Sequence, residues 1–358
     1  MPSLDLTADV VTLTQQLCDI ESVSHDEAAI ADAIEAALTP LRHLKVIRRG
    51  NTVIARTHLG REERVVLAGH IDTVPLTSEP ANLPVRREQV GGVEVLWGRG
   101  TVDMKGGVAV QLKAALLEEP SRDITFLFYE AEEVDAIHNG LQLLAESDPD
   151  LLAADFAVLL EPTNAAVEGG CKGTMRVEVR LKGIAAHSAR PWNGHNAIHD
   201  AHEVLAALAA HEEATVHVDG LDYHEALQAV GITGGIAGNV IPDSCTVLIN
   251  YRFAPDKDAE AALAYVQTVL PGRELHVRDM AEGARPGLDL PAAQAFVAAL
   301  GVPVGPKEGW TDVARFSTLG IPAVNFGPGD PNLAHHDEER CPVEQIVTAE
   351  QAVLRWLA

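Results

Sequence analysis

Four apolar runs in this chain break off into acidic or imidazole side chains. Val65-Val66-Leu67-Ala68 is followed by Gly69-His70-Ile71-Asp72, and Ile124–Tyr129 by Glu130-Ala131-Glu132-Glu133. Phe156–Leu160 runs into Glu161, and the run Ala323–Phe326 precedes His335. Apolar runs of this length, bounded by turn residues, read as buried strands. Helical patterns lie between and after them, at Val108–Glu119, Pro291–Leu300 and Val343–Ala358. Strands alternating with helices, with acids at the strands' carboxyl ends, predict a mixed, mostly parallel α/β sheet whose site lies along that edge. Upstream, Leu6–Ile20 reads as a helix, and Gly50-Asn51 divides Leu44–Thr57 into a hairpin. Ser24 and Glu27 have capping-box spacing before a helix that reaches about Leu38.

The middle of the chain has a different rhythm. Met175–Leu181, Gln228–Gly234, Thr246–Phe253 and Glu274–Arg278 read as strands, with helices at Ala197–Ala210 and Ala259–Leu270. The order βαββαβ is the ferredoxin-like arrangement. Residues 174–284 are therefore expected as an inserted domain within a catalytic α/β domain built from 1–173 and 285–358. A chain of 358 residues is long for one core, which agrees with two. The net charge of −25 disfavours binding to nucleic acid or an anionic membrane, and it means that an anionic substrate needs a local cation. The amino terminus shows no secretory pattern, and no apolar run is long enough to span a bilayer. Cys18, Cys171, Cys245 and Cys341 are scattered, which argues against a disulfide framework or a zinc knuckle and makes the cytoplasm the expected compartment.

His70 and Asp72 are two residues apart, so an extended backbone turns both to one side. An imidazole held by a carboxylate suits a metal ligand, although the pair alone reads more readily as a loop histidine beside a solvated aspartate, and the rest of the chain has to decide. Asp103 adds a further converging position, in the turn Gly98-Arg99-Gly100-Thr101-Val102-Asp103-Met104-Lys105-Gly106-Gly107. Carboxylates gathered in one place repel each other and resist desolvation, so a cation is the economical explanation. Imidazoles and carboxylates without thiolates suit Zn²⁺, with Co²⁺ or Mn²⁺ as alternatives. The donors suffice for two divalent ions that share a carboxylate. The run Glu130-Ala131-Glu132-Glu133 offers three carboxylates for a general base, and His336 stands beside His335, so two identities stay open.

Together, Gly69-His70-Ile71-Asp72-Thr73-Val74-Pro75, the Gly98–Gly107 turn, Glu132-Glu133, Glu161-Pro162-Thr163 and His335 resemble the M20 metallopeptidase/deacylase family over nearly the whole chain. The resemblance implies a zinc-hydrolase catalytic domain with an inserted ferredoxin-like lid and dimerisation domain. His70 and Glu161 would bind one zinc, Glu133 and His335 the other, and Asp103 would bridge them. Asp72 would fix the tautomer of His70. Glu132, favoured over Glu130 because the family pattern ends in the adjacent pair, would take a proton from the bridging water and deliver it to the leaving amine. Spacing to Glu339 favours His335 over His336.

The segment Gly183–Pro191 resembles the family's lid motif, which implies that His187 stabilises the oxyanion from the other subunit of a homodimer. Asn239 and Arg252 would bind substrate, and Arg190 could share that role, while His195, His199 and His202 read as helix-surface or cap residues. Asn250–Phe253, Gly309–Val313 and Ala334–Gln345 are similar to the family's desuccinylases of the actinobacterial type. That similarity implies hydrolysis of N-succinyl-LL-2,6-diaminopimelate to succinate and LL-2,6-diaminopimelate. Other readings are a deacetylase for N-acetylornithine or N-acetyl-lysine, a small aminoacyl peptidase, or a metal-binding regulatory protein that kept the fold and lost the chemistry. A nucleotide-binding protein is disfavoured, because neither a Gly-x-Gly-x-x-Gly run nor a Gly-Lys-Ser/Thr loop follows a strand.

Overall fold

The computed structural model describes residues 2–79 and 81–358. Its contacts divide the chain into two compact units. The first runs as far as Gly169 and includes Gly287–Gly305 and Arg315–Ala358. The second comprises Gly170–Pro286 and Pro306–Ala314, so a short segment beyond the expected end of the insertion groups with it.

The first unit is built on an eight-stranded sheet. In chain order its strands are β1 (Lys45–Arg49), β2 (Thr52–Arg56), β3 (Arg64–His70), β4 (Asp123–Tyr129), β5 (Phe156–Leu159), β6 (Val167–Gly169), β7 (Val304–Pro306) and β8 (Ala323–Asn325). They lie side by side as β1-β2-β4-β3-β5-β8-β6-β7. The four central strands β4, β3, β5 and β8 are parallel, while β2 is antiparallel to β4 and β6 to β8. Every residue of β4 and β5 is buried, and so are all but the first of β3. Both faces of these strands are covered, which is why they read as unbroken apolar runs.

The helices of this unit include α1 (Val10–Cys18), α2 (Ala28–Leu38), α3 (Lys105–Ala114), α4 (Pro291–Leu300) and α5 (Val343–Leu357). Leu13, Ile34, Leu67, Val108, Phe126, Phe156, Phe296 and Trp356 belong to one continuous core. Each such side chain contributes about 1.5–3 kcal/mol through burial. Asp9 caps α1 by accepting from the Val11 and Thr12 amides.

The expected capping box of α2 is not formed. Glu27 stands at the cap without a side-chain bond to the helix; its carboxylate instead accepts from the His25 amide. The Ser24 hydroxyl donates to Asp72 Oδ2 at 2.7 Å, because a buried carboxylate is a strong acceptor that competes for the hydroxyl. Helix α3 starts and ends earlier than its apolar pattern predicts, since Gly106 and Gly107 belong to its first turn. A Cβ on Gly107 would lie 2.0 Å from the Leu160 carbonyl oxygen. Only glycine lets this helix approach the end of β5 so closely.

Arg86–Val90, Val93–Trp97 and Arg340–Pro342 form a separate three-stranded sheet, with Arg340 paired to Trp97. This pairing sets the turn after Trp97 beside the segment that ends at Glu339. The first strand of the hairpin, Arg86–Val90, is mostly polar and carries no apolar alternation.

In the second unit four antiparallel strands lie in the order Ala226–Gly234, Ser244–Phe253, Gly173–Lys182 and Leu275–Ala281. Gly173–Lys182 alternates between buried and more exposed positions, as a strand with one covered face should. The helices Ala197–Ala209 and Ala259–Val269 contribute Val204 and Val266 to a core with Val177, Val247, Ile249 and Tyr251.

Candidate metal centre

The register of β3 brings His70 level with Tyr129 at the end of β4, and Ala68 level with Leu159 at the end of β5. Glu132, Glu133 and Glu161 therefore follow neighbouring strand ends at one edge of the sheet. His70 is buried, and its Nε2 lies 3.0 Å from Asp103 Oδ1. Its Nδ1 faces Asp72, 3.1 Å from the carbonyl oxygen and 3.4 Å from Oδ1. Burial alone would pull the His70 imidazole down, but hydrogen bonds to Asp103 and Asp72 outweigh it and hold the ring well above its ordinary value.

Asp72 is fully enclosed. Besides the Ser24 hydroxyl, it accepts from the Glu132 amide at 3.0 Å and the Glu133 amide at 3.1 Å. Burial opposes its ionisation, yet the bonds from His70, Ser24 and Glu132 keep its carboxyl below the usual range. Ala131, just before this pair, has a left-handed backbone (φ 57°) that turns the chain at the end of β4. A non-glycine residue in that region costs on the order of 1 kcal/mol, and the anchored loop maintains it.

Asp103 Oδ2 lies 3.1 Å from His335 Nε2, which is also 3.0 Å from Glu133. Asp103 is held far below the usual carboxylate range: burial opposes this, and the hydrogen bonds from His335 and His70 prevail. His335 is raised to about 10, first by its bond to Asp103 and then by Glu133. A pocket whose carboxylates raise both imidazoles is one whose field attracts positive charge, and a metal ion would compete with the proton for the same nitrogen.

Among the described residues, three groups of donors have ligand atoms within 4.8 Å of one another: His70, Asp103 and Glu161; Asp103, Glu133 and His335; and His70, Glu132 and Glu133. Asp103 is common to the first two, so this donor set fits a pair of divalent cations. Glu130 is engaged elsewhere, since its Oε1 accepts from the Asn51 amide at 2.7 Å in the β1–β2 hairpin. His336 turns its Nδ1 to the Glu338 amide and stands outside all three groups.

The sequence reading missed Ser24 and Glu339 as parts of this site. Ser24 reads locally as a cap. Glu339 is an acid among acids in the sequence, yet it is fully buried and bonds to the Val102 and Asp103 amides.

The remaining candidate residues lie in the second unit. His187 ends the short strand Ala186–His187, which pairs with Val240–Ile241, and the Ser188 amide donates to the Asn239 carbonyl. These two candidates are therefore neighbours in the fold. Arg252 is half-buried in strand Ser244–Phe253 and donates from Nε to Asn250 Oδ1 at 3.2 Å. Among the described residues no carboxylate lies within ion-pair distance of it, because nearby Asp279 is taken by Arg176.

Residues 66–358 match the profile of the peptidase family M20/M25/M40. The chain is 51% identical over 358 residues to a Mycobacterium tuberculosis protein named for succinyl-diaminopimelate desuccinylation, covering 99% of each. It is 44% identical to the succinyl-diaminopimelate desuccinylase of Corynebacterium glutamicum, covering 100% of this chain and 98% of that one. Among solved structures it resembles an M20 family metallo-carboxypeptidase from Sulfolobus solfataricus, with a TM-score of 0.78 at 17% identity over 98% of both chains. It also resembles a Staphylococcus aureus tripeptidase, with a TM-score of 0.76 at 20% identity over 99% of this chain and 98% of that one. These structures share its fold.

The geometry at His335 yields a direct expectation. Elemental analysis of the purified protein should show less bound divalent metal in His335→Ala and an unchanged content in His336→Ala. Loss of metal from His336→Ala alone would reverse the assignment.

Proposed function

Because this chain belongs to the peptidase family M20/M25/M40, we propose that it is a metal-dependent amide hydrolase that releases succinate from N-succinyl-LL-2,6-diaminopimelate. The observation that carries the hydrolytic reading is the shared position of Asp103 between two donor groups. His70, Asp103 and Glu161 would hold one divalent ion, and Asp103, Glu133 and His335 a second. Zn²⁺ suits these ligands best, with Co²⁺ or Mn²⁺ as alternatives. When bound, such ions supply Lewis acidity to the scissile carbonyl and to the attacking water.

The protein's own groups perform the rest. Glu132, with its backbone fixed on Asp72, is the general base that removes a proton from water and returns it to the leaving amine. Asp72 holds the His70 ring so that Nε2 faces Asp103. His187 is the donor for the developing oxyanion. Arg252 and Asn239 bind substrate: a half-buried guanidinium with no carboxylate partner among the described residues is prepared to receive a succinyl carboxylate in a bidentate pair. Four buried free cysteines suit a reducing compartment such as the cytoplasm.

The second unit is proposed as a ferredoxin-like lid and dimerisation domain whose partner is a second copy of this chain. Its edge strand Ala226–Gly234 exposes Val230 and Ile232, and the adjacent helix exposes Ile198 and Leu205. An unpaired edge beside apolar side chains favours strand pairing across a twofold axis.

Three outcomes test this reading. Glu132→Gln should retain bound metal and lose roughly 10²–10⁴-fold in kcat; unchanged turnover would remove Glu132 from the mechanism. Arg252→Ala should raise KM for the succinylated substrate by roughly 10–100-fold, the value of a charge-assisted pair, and hardly alter KM for N-acetylornithine. Equal effects on both would end the succinate assignment. Ile232→Glu should convert a dimer into a monomer in sedimentation velocity and lower kcat if His187 acts across the interface. A monomeric wild-type protein would overturn the dimer.

A further inference from the structure

We propose that Glu339 is a positioning residue for the metal centre, clamping the turn that carries Asp103 to the loop that carries His335. The inference rests on the two-ion reading above and extends it to a buried carboxylate outside all three donor groups.

Glu339 and Arg99 are almost wholly shielded from solvent. Glu339 Oε1 accepts from two consecutive amides, Val102 at 2.9 Å and Asp103 at 3.1 Å. Its Oε2 accepts from Arg99 Nη1 at 2.8 Å, and the same guanidinium donates to the His336 carbonyl at 3.3 Å. The Gly98 amide donates to the Glu339 carbonyl at 2.9 Å. Residues 98–103 and 336–339 are thus tied by five hydrogen bonds, three of which end on one side chain.

Strand pairing between Arg340 and Trp97 already places the two segments side by side. What it leaves undetermined is how the turn beyond Trp97 rotates. Two successive N–H groups directed at one oxygen fix the peptide plane between Val102 and Asp103, and with it the direction in which the Asp103 side chain leaves the backbone. That direction matters because the Asp103 carboxylate spans His70 Nε2 at 3.0 Å and His335 Nε2 at 3.1 Å. A small rotation would lengthen one contact as it shortened the other.

An apolar side chain could hold the loops together but would leave two buried amides without an acceptor. A buried carboxylate in turn needs a compensating charge, which Arg99 provides. The neighbouring His335 has a left-handed backbone (φ 63°), so its own loop also depends on contacts from outside it.

The test compares full-length wild type with Glu339→Gln and with the double variant Glu339→Leu/Arg99→Met, which removes the buried pair without stranding a charge. Zn²⁺ affinity is measured by competition with a chromophoric chelator, the visible absorption of the Co²⁺-loaded protein reports ligand geometry, and thermal unfolding of metal-free protein reports the fold. The expected result is cooperative unfolding in both variants, a Zn²⁺ affinity lower by roughly 10–100-fold and altered Co²⁺ bands. Unchanged affinity and bands would show that the pair is only a structural staple and overturn the proposal. Loss of metal together with loss of the fold would overturn it as well, since the claim requires a folded chain that binds poorly. A wild-type protein that binds no Zn²⁺ would defeat the two-ion reading itself, an outcome separate from a wild-type chain whose affinity both variants share.

Discussion

The site depends on one buried anion. The Asp72 carboxylate has no solvent to stabilise it, so its lone pairs must be met by the protein: the Ser24 hydroxyl, the Glu132 and Glu133 amides, and the His70 ring. A donor withheld from a buried carboxylate costs about 1–3 kcal/mol or more. The segment before α2, the end of β3 and the loop after β4 must therefore all arrive before this charge is tolerable. Their arrival also aims His70 and anchors the backbone of Glu132 and Glu133. A requirement of folding and a requirement of chemistry are met by the same contacts.

The second constraint is closeness. Gly107 allows α3 to lie against the end of β5, where no Cβ would fit, and this sets the Asp103 turn beside Glu161. Carboxylates brought so near one another are unfavourable by themselves. Asp103 ionises readily only because imidazoles flank it on both sides, and those imidazoles are raised by the same carboxylates. Divalent cations answer both demands, which is why the donor set reads as a metal centre.

Much of this was legible in the sequence, and the limits have physical causes. Strands β3, β4 and β5 were visible because burial on both faces leaves unbroken apolar runs, and their ends located His70, the Glu132-Glu133 pair and Glu161. Strand order was not visible: β8 is three residues long and inserts between β5 and β6, a pairing that no local periodicity encodes. Ser24 was misread because its spacing to Glu27 imitates a capping box, while its partner Asp72 lies 48 residues away. Glu339 was used for its spacing to His335, but nothing in the local pattern shows that it is buried or that Arg99, 240 residues distant, compensates it. Contacts of this kind are written in the tertiary structure alone.

The order of the chain itself adds a consequence. His70, Asp72, Asp103, Glu132, Glu133 and Glu161 all precede the second unit, whereas β8, His335 and Glu339 follow residue 322. At the usual pace of ribosomal synthesis the intervening stretch takes on the order of 10 s to emerge. Throughout that interval the nascent protein carries an acidic half-site that lacks its last imidazole, its clamp and the strand beside β5. Assembly of the complete donor set thus waits for the segment that carries His335 and Glu339, long after its first six side chains have been made.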